Sequence, residues 1–318
     1  MAQYTVLNDT SLQTILNHYG IEKVKSYKIL SGGSENTNYV VKTEDDSFVL
    51  TICEQKSLDE AERLALLLEY LKFNNFSTSK IVKTNKGALT FVWNDKPVMI
   101  KEFIEGNIHE DLTEGLLEYL GMELAKLHQI EAPEYLPKSV NYGLERFDIV
   151  KTYAPESSFY SWLKSTQEYI ESYISTDLPK ALIHSDIFYN NIIVDEKGGY
   201  ATIMDFEEAS NYYRLFDIGM MIVGTCNEDG AINLNKATCL LKGYQQEVSL
   251  LIVEQEALQV FVAYGATATA FWRHQNFNYV NVDETMANHY KAMKTLADSV
   301  MNIPRDEFKK LFNYLSIS

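Results

Sequence analysis

The hydrophobic pattern of this 318-residue sequence changes near residue 105, and that change restricts the fold more than any other feature. Strand-type patterns, rich in β-branched and aromatic residues, lie at 24–30, 39–41, 48–52, 88–93 and 97–104. One helical pattern, 57–73, interrupts them, and beyond residue 106 helical spacing dominates, as over 112–130, 157–174 and from 213 onward. The sequence therefore predicts an α+β fold of two lobes that share a cleft: a small β-sheet lobe over 1–105 and a mainly helical lobe over 106–318.

Two helices of the first lobe carry start signals. Asn8 and Asp9 precede apolar residues at helical spacing. Ser57 and Glu60 stand at the spacing of a capping box. We therefore expect a short N-terminal helix and a second helix inserted between strands.

One β-rich island interrupts the helical part of the chain. It consists of the apolar segments 181–183, 191–195 and 200–204, and the last two are joined by a Lys-Gly-Gly turn. A polar loop with His184, Asp186 and Asn191 separates the first two segments, and Asp205 follows the third. A single hairpin of 191–204 brings Asn191 and Asp205 side by side, with Asp186 across the loop.

This set of side chains matches the needs of phosphoryl transfer, in which the protein mainly positions the reactants and neutralises charge. Asn191 and Asp205 offer the hard oxygen ligands that Mg²⁺ prefers. Asp186 is the candidate acceptor of a hydroxyl proton, so the predicted catalytic set is Asp186, Asn191 and His184, with His184 bracing the loop. We expect Asp217 to be a buried acceptor of hydrogen bonds from the same loop.

A structural interpretation of each residue is also available. In it, His184 is a packed loop histidine, Asp186 and Asn191 satisfy turn backbone groups, and Asp205 caps the next helix. Taken singly, each of these interpretations is the commoner one. The joint spacing of all four residues, with Phe206 after Asp205, favours the catalytic interpretation.

Four segments in this order and spacing resemble the aminoglycoside phosphotransferase and choline kinase superfamily, whose members are relatives of protein kinases. They are LAKLH at 124–128, HSDIFYNN at 184–191, MDF at 204–206 and FDIG at 216–219. The resemblance covers nearly the whole chain. It implies a bilobal protein-kinase-like fold, ATP as co-substrate, Mg²⁺ as cofactor and a small-molecule hydroxyl acceptor.

Within that superfamily, GGSENTNY at 32–39 and FVLT at 48–51 resemble the protein-kinase-like homoserine kinases. The resemblance implies that the loop with Gly32 and Gly33 folds over the ATP phosphates, and that Ser34 and Asn36 offer polar contacts. Taken without the resemblance, the segment is an ordinary hairpin turn.

The third strand departs from the wider superfamily. Protein kinases and many antibiotic kinases carry a phosphate-binding lysine there, whereas this chain has Thr51. Thr51 itself, Lys42 or Lys56 is the candidate replacement. The helix partner of that lysine, Glu60 or Glu62, stays unassigned.

The remaining nucleotide and acceptor candidates lie in two places. Backbone groups of Glu102, Phe103 and Ile104 are expected to pair with adenine, although the segment also fits a plain edge strand. For an amino-acid acceptor, Arg273 is a candidate clamp for the carboxylate and Glu207 or Glu208 for the ammonium. Exposed acids and an Arg that covers an aromatic core are the alternative interpretations.

Composition limits the partners. The chain has 28 Lys and Arg against 44 Asp and Glu, a net charge of −16, and no basic cluster, so neither nucleic acid nor a membrane surface is expected as a partner. We find no export signal and no apolar run of membrane-spanning length. Three scattered cysteines without a C-x-x-C pair favour the cytoplasm. A monomer and a homodimer both fit.

Together these features predict an ATP- and Mg²⁺-dependent kinase of a small alcohol, with homoserine as the first acceptor to test. Choline or ethanolamine, hydroxylysine and an aminoglycoside are alternative acceptors for the same machinery. A pseudokinase-like module that binds nucleotide without turnover is the alternative from another class, and Thr51 is the feature that favours it.

Overall fold

The computed structural model describes residues 5–30 and 36–312. The chain divides into two compact units, Met1–Glu105 and Gly106–Ser318. Within the described ranges, none of the helices has the length and hydropathy needed to cross a membrane.

The first unit is built around an antiparallel sheet. Its elements are, in chain order, α1 Asp9–Asn17, β1 Ser26–Ile29, β2 Asn36–Lys42, β3 Ser47–Cys53, α2 Leu58–Phe73, β4 Ile81–Val82, β5 Phe91–Trp93 and β6 Lys96–Glu102. The strands lie in the order β1-β2-β3-β6-β4, and β5 pairs with β6. The predicted strands and helices are present; β4, with two residues, is too short to leave a pattern in the sequence.

Capping interactions fix the two helices where the sequence placed them. The side chain of Asn8 accepts a hydrogen bond from the backbone of Ser11 at 2.8 Å. Ser57 and Glu60 form the reciprocal capping box, with the Glu60 carboxylate 2.8 Å from the Ser57 N–H. Both predictions of helix starts are confirmed.

The second unit is mainly helical. Its helices are α3 Glu114–Gln129, α4 Ser158–Glu171, α5 Arg214–Thr225, α6 Leu234–Glu247, α7 Ile252–Gln275, α8 Tyr290–Asn302 and α9 Arg305–Lys310. Helix α7 is buried along most of its length and packs against α5, α8, α4 and α9. Gly219 of α5 allows this packing, because a Cβ there would overlap the Phe261 carbonyl of α7.

Three small sheets complete the second unit within the described ranges. Their strands are β7 Lys180–Ile183, β8 Ile192–Val194, β9 Ala201–Ile203, β10 Ser210–Tyr213, β11 Asn227–Glu228 and β12 Ala231–Ile232. β8 pairs with β9 as predicted, whereas β7 pairs with β10 and β11 with β12. The prediction of one hairpin was therefore incomplete, because β10 and the last two strands are short and lack a clear alternation.

The β7–β10 pair and a glycine position the polar loop that follows β7. Ser210 lies opposite Ile183, at the end of β7. Gly106 has a φ of 141°, and a Cβ there would overlap the Val194 carbonyl. The next residue, Asn107, exchanges backbone hydrogen bonds of 2.9 Å with Val194. The chain is thus held at the end of β7, where the loop begins, and at the end of β8 that follows the loop.

Candidate active site

Loop 184–191 connects β7 to β8, and the side chain of Asp217 on α5 binds the backbone at its start. The Asp217 carboxylate is completely buried and accepts hydrogen bonds from the backbone N–H groups of His184, at 2.8 Å, and Ser185, at 2.7 Å. A buried carboxylate is stable only when it is hydrogen-bonded or paired, and here it is. The predicted role of Asp217 as a buried acceptor is confirmed.

His128 of α3 is a member of this network that the sequence analysis did not assign. Its Nε2 donates to Asp217 at 3.2 Å, and its Nδ1 accepts from the Tyr244 hydroxyl at 2.8 Å. The available signal was a histidine among apolar residues near the end of a helical pattern. Because its partner lies 89 residues further along the chain, the pairing became visible only in the structure.

His184 joins the two halves of the site. Its ring is buried, with Nε2 donating to the Met204 carbonyl at 2.8 Å and Nδ1 accepting from the Asp186 N–H at 3.2 Å. One histidine therefore fixes both the backbone of Asp186 and the residue before Asp205. These contacts match the brace expected from the sequence.

Ser185 adopts an unusual backbone conformation at the start of the loop, with a φ of 76°. Its carbonyl accepts a hydrogen bond of 2.7 Å from the Tyr142 hydroxyl, and its own hydroxyl lies 3.2 Å from that of Ser210. These bonds, with the one to Asp217, hold the left-handed conformation in place. The turn directs the chain into Asp186.

Asn191 connects Asp186 to the hairpin. Its amide Nδ2 donates to the Asp186 carbonyl at 2.9 Å and to the Asp186 carboxylate at 3.3 Å. Its own carbonyl accepts from the Met204 N–H at 2.9 Å, directly before Asp205. With Nδ2 committed to Asp186, its Oδ1 accepts no hydrogen bond from any residue in the described ranges.

Asp205 follows β9 in a left-handed conformation, with a φ of 69°. Its side chain is exposed and does not cap the short 3-10 helix Phe206–Glu208. The capping interpretation of Asp205 is therefore not realised. Asn191 and Asp205 lie at the same end of the β8–β9 hairpin, where Ile192 pairs with Ile203.

The donor set of this hairpin end fits Mg²⁺. Mg²⁺ bound with a nucleotide typically takes one or two protein oxygens and completes its shell with phosphates and water. Within the described ranges, no group of three or more His, Cys, Asp and Glu side chains forms a complete protein cage for a metal. An amide oxygen from Asn191 and a carboxylate from Asp205 would supply the small set that a nucleotide-bound ion needs.

The environment of Asp186 favours proton uptake. Burial raises the pKa of its carboxyl group, whereas His184, the Asn191 hydrogen bond and the Arg273 guanidinium oppose that rise. A raised pKa brings a carboxylate closer to the range in which it accepts a proton from a reacting hydroxyl. The structure therefore gives Asp186 an environment suited to a base.

Arg273, near the end of α7, lies close to Asp186. Burial lowers the pKa of its guanidinium, and Asp186 and Tyr189 oppose that fall. The side chain makes no hydrogen bond and no ion pair with any residue that the structure describes. Glu207 and Glu208 are half-buried in the 3-10 helix after Asp205, and Glu208 accepts a hydrogen bond of 3.0 Å from Asn141.

The first unit carries the predicted phosphate-side residues. Gly32, Gly33 and Ser34 lie outside the described residues, and Asn36 is buried at the start of β2. Thr51 is 1% exposed, and its hydroxyl donates to the side chain of Asn38 at 2.7 Å. Asn38 is a polar neighbour that the sequence analysis did not single out.

The predicted adenine segment lies at the end of β6. The N–H of Glu102 donates to the Lys80 carbonyl at 2.8 Å, and that of Phe103 to the Ser47 carbonyl at 3.0 Å. The N–H of Ile104 donates to no residue of the described ranges. Of the three amides in this segment, Ile104 is therefore the one whose N–H remains available to a base.

Comparison with known proteins defines the class. The profile described as the phosphotransferase enzyme family matches residues 26–245, more than half of the chain. The chain therefore belongs to this family. It is a small-molecule kinase, a phosphotransferase that uses a nucleotide and acts on a hydroxyl group.

Two of the relatives, which match most of this chain, are homoserine kinases. A homoserine kinase of Paramagnetospirillum magneticum is 28% identical over 274 residues, which cover 81% of this chain and 83% of that protein. A homoserine kinase of Brucella ovis is 28% identical over 298 residues, 89% of this chain and 88% of that protein.

Solved structures confirm the protein-kinase-like α+β fold. An amicoumacin kinase in complex with AMP-PNP and Ca²⁺ superposes with a TM-score of 0.72 at 16% identity, over 95% of this chain and 97% of that one. A microcompartment-associated aminopropanol kinase superposes with a TM-score of 0.70 at 19% identity, over 98% of both chains. At this level of identity the likeness establishes the fold.

Proposed function

We propose that this enzyme transfers the γ-phosphoryl group of Mg-ATP to the hydroxyl of homoserine. The observation that carries the choice of acceptor is Arg273, a partly buried guanidinium near Asp186 that makes no hydrogen bond and no ion pair with the described residues. A cation withdrawn from water requires an anion. The carboxylate of an amino-acid acceptor meets that need with two parallel hydrogen bonds.

The proposed reaction assigns a role to each residue of loop 184–191. The acceptor hydroxyl attacks the γ-phosphorus in line, its proton passes to the Asp186 carboxylate, and the bond from the γ-phosphorus to the bridging oxygen breaks to release ADP. Asn191 and Asp205 would hold Mg²⁺, which supplies neutralisation of the phosphate charge. Asp217 and His184 keep Asp186 and Asn191 in place and contact neither reactant.

In the proposed complex, the protein binds both charged groups of the amino-acid acceptor. Arg273 binds the carboxylate, and the half-buried Glu207 or Glu208 binds the ammonium. The homoserine kinases that match 81–89% of this chain support this choice of acceptor. An amino alcohol without a carboxylate would leave the Arg273 guanidinium without a hydrogen-bonding acceptor.

A screen of acceptors tests the proposal. ADP release is measured with Mg-ATP and homoserine, hydroxylysine, choline, ethanolamine or an aminoglycoside, and homoserine is expected to give the highest kcat/KM. Preference for choline or ethanolamine would reject homoserine and leave the kinase class intact. Nucleotide binding without stimulation by any of these acceptors would favour the pseudokinase-like alternative.

A further inference from the structure

The sheet of the first unit shows what surrounds the position at which protein kinases carry a lysine. Thr51 lies on β3, directly opposite Asn38 on β2 and Met99 on β6. Of these two cross-strand neighbours, only Asn38 is polar. Any protein group that replaces the lysine in contact with phosphate must therefore come from Asn38, from Thr51 or from another element.

The strand lysines of this unit are placed elsewhere. Lys42 pairs with Ser26 and Ser47 at the far end of β2, four residues from Asn38 and thus about 13 Å along the strand. Lys101 lies opposite Val49, and Lys96 forms an ion pair with Glu54. Lys28 lies opposite Val40 on the edge strand β1, and none of these four strand lysines is paired with Thr51.

The two candidate glutamates of α2, Glu60 and Glu62, do not pair with a strand lysine in the described ranges. Glu60 accepts hydrogen bonds from the backbone and hydroxyl of Ser57 at 2.8 and 2.7 Å, which commits its carboxylate to the capping box. Glu62 is exposed on α2. Among the described residues, neither of these two carboxylates therefore pairs with a lysine of the sheet.

A neutral pair occupies the position instead. The Thr51 hydroxyl donates to Oδ1 of Asn38 at 2.7 Å, so Oδ1 is the amide atom that faces Thr51. The two hydrogens on Nδ2 then point away from Thr51 and meet no acceptor in the described ranges. Asn38 is half-buried, so its amide is held in place without being enclosed.

We propose that Asn38 binds a phosphate oxygen of the nucleotide through Nδ2 in place of the lysine, and that Thr51 is the positioning residue that orients it. The inference rests on nucleotide use, which family membership establishes, and not on the identity of the acceptor. A neutral donor fixes the phosphate without neutralising it. Charge neutralisation would then fall to a bound metal ion and to other groups.

Steady-state kinetics and ADP binding in the presence of Mg²⁺ test this role in the full chain. Asn38→Ala removes a hydrogen bond to a charged group, so we expect the KM for ATP and the Kd for ADP to rise about tenfold or more, with the acceptor KM little changed. Asn38→Asp still accepts from Thr51 but places a charge against the phosphates, and its loss of nucleotide affinity should be larger. It tests the inference even where Asn38→Ala folds poorly.

Thr51 variants separate positioning from packing. Thr51→Val should weaken nucleotide binding in the same direction as Asn38→Ala, and Thr51→Ser, which keeps the hydroxyl, should restore most of it. Asn74→Ala is the matched control, because the Asn74 amide donates to the Tyr70 carbonyl of its own helix. Folded Asn38→Ala and Asn38→Asp proteins with parental nucleotide affinity would overturn the inference.

Discussion

The catalytic loop and the acceptor side of the second unit differ in how their polar groups are satisfied. In the loop, the backbone of His184 and Ser185 and the side chains of Asn191 and His184 all have protein partners. On the acceptor side, Arg273 has none among the described residues. The loop groups are therefore preorganised by the protein, whereas Arg273 would gain its hydrogen bonds from the substrate.

The largest expected effect comes from the reacting group of the loop. Asp186→Asn keeps the shape of the side chain but removes its basicity, so turnover should fall by about a thousandfold or more while nucleotide binding persists. Single-turnover kinetics and ADP binding measure the two effects. Asp195→Asn, in the exposed β8–β9 turn, is the matched control and should keep near-parental turnover. A near-parental rate for Asp186→Asn would remove it as the base.

The next effect comes from the buried support of the loop. In Asp217→Asn, the backbone N–H of either His184 or Ser185 would face the amide N–H₂ group and would lose its acceptor. We therefore expect the free energy of unfolding to fall by about 3 kcal/mol, as measured by urea denaturation. Asp148→Asn affects only exposed contacts, to Lys151, Lys164 and Tyr160, and should cost less than about 1 kcal/mol. Equal losses for the two variants would show that the loop does not depend on Asp217.

His274, next to Arg273 in the sequence, is a further unsatisfied group near the end of α7. Its ring stacks on Phe159 at 3.9 Å, and its buried Nδ1 has no partner in the described ranges. Burial lowers the pKa of His274 from 6.5 to about 4. The folded state therefore favours the neutral ring. The contribution of His274 to the free energy of unfolding should be fully present above pH 6.5 and should be lost as the pH falls toward 4.

A pH series of unfolding measurements on the parent and on His274→Phe isolates this contribution. The phenyl ring keeps the stacking and does not titrate. Between pH 6.5 and 4 the parent should lose up to about 2–3 kcal/mol more than the variant. Parallel pH profiles for the two proteins would contradict the assignment.

The smallest effect comes from a single hydrogen bond to the loop. Tyr142→Phe removes the donor to the Ser185 carbonyl, and we expect a loss of about 1 kcal/mol in stability and a several-fold fall in kcat. Tyr200→Phe on the exposed face of the hairpin should change neither quantity. Unchanged kcat and stability in Tyr142→Phe would show that the loop is held without this bond.

Local chemistry explains what the sequence predicted well. The caps at Asn8 and Ser57, the β8–β9 hairpin and the order of Asp186, Asn191 and Asp205 follow from short-range spacing. Two other features join residues that are far apart in the chain: the pairing of β10 with β7 and the contact of His128 with Asp217. Local sequence spacing cannot predict such contacts. The same holds for Thr51 and Asn38, whose bond depends on the register of two strands.

The role of Arg273 in binding the acceptor carboxylate is tested by comparing homoserine with 3-aminopropan-1-ol, the same molecule without its carboxylate. In the parent, kcat/KM should favour homoserine by about 10- to 100-fold, and in Arg273→Gln the ratio should fall to near one. Arg273→Lys should keep part of the preference, and Arg146→Gln, which changes an exposed arginine, should keep all of it. A ratio that is the same in the parent and in Arg273→Gln would show that Arg273 does not bind the acceptor carboxylate.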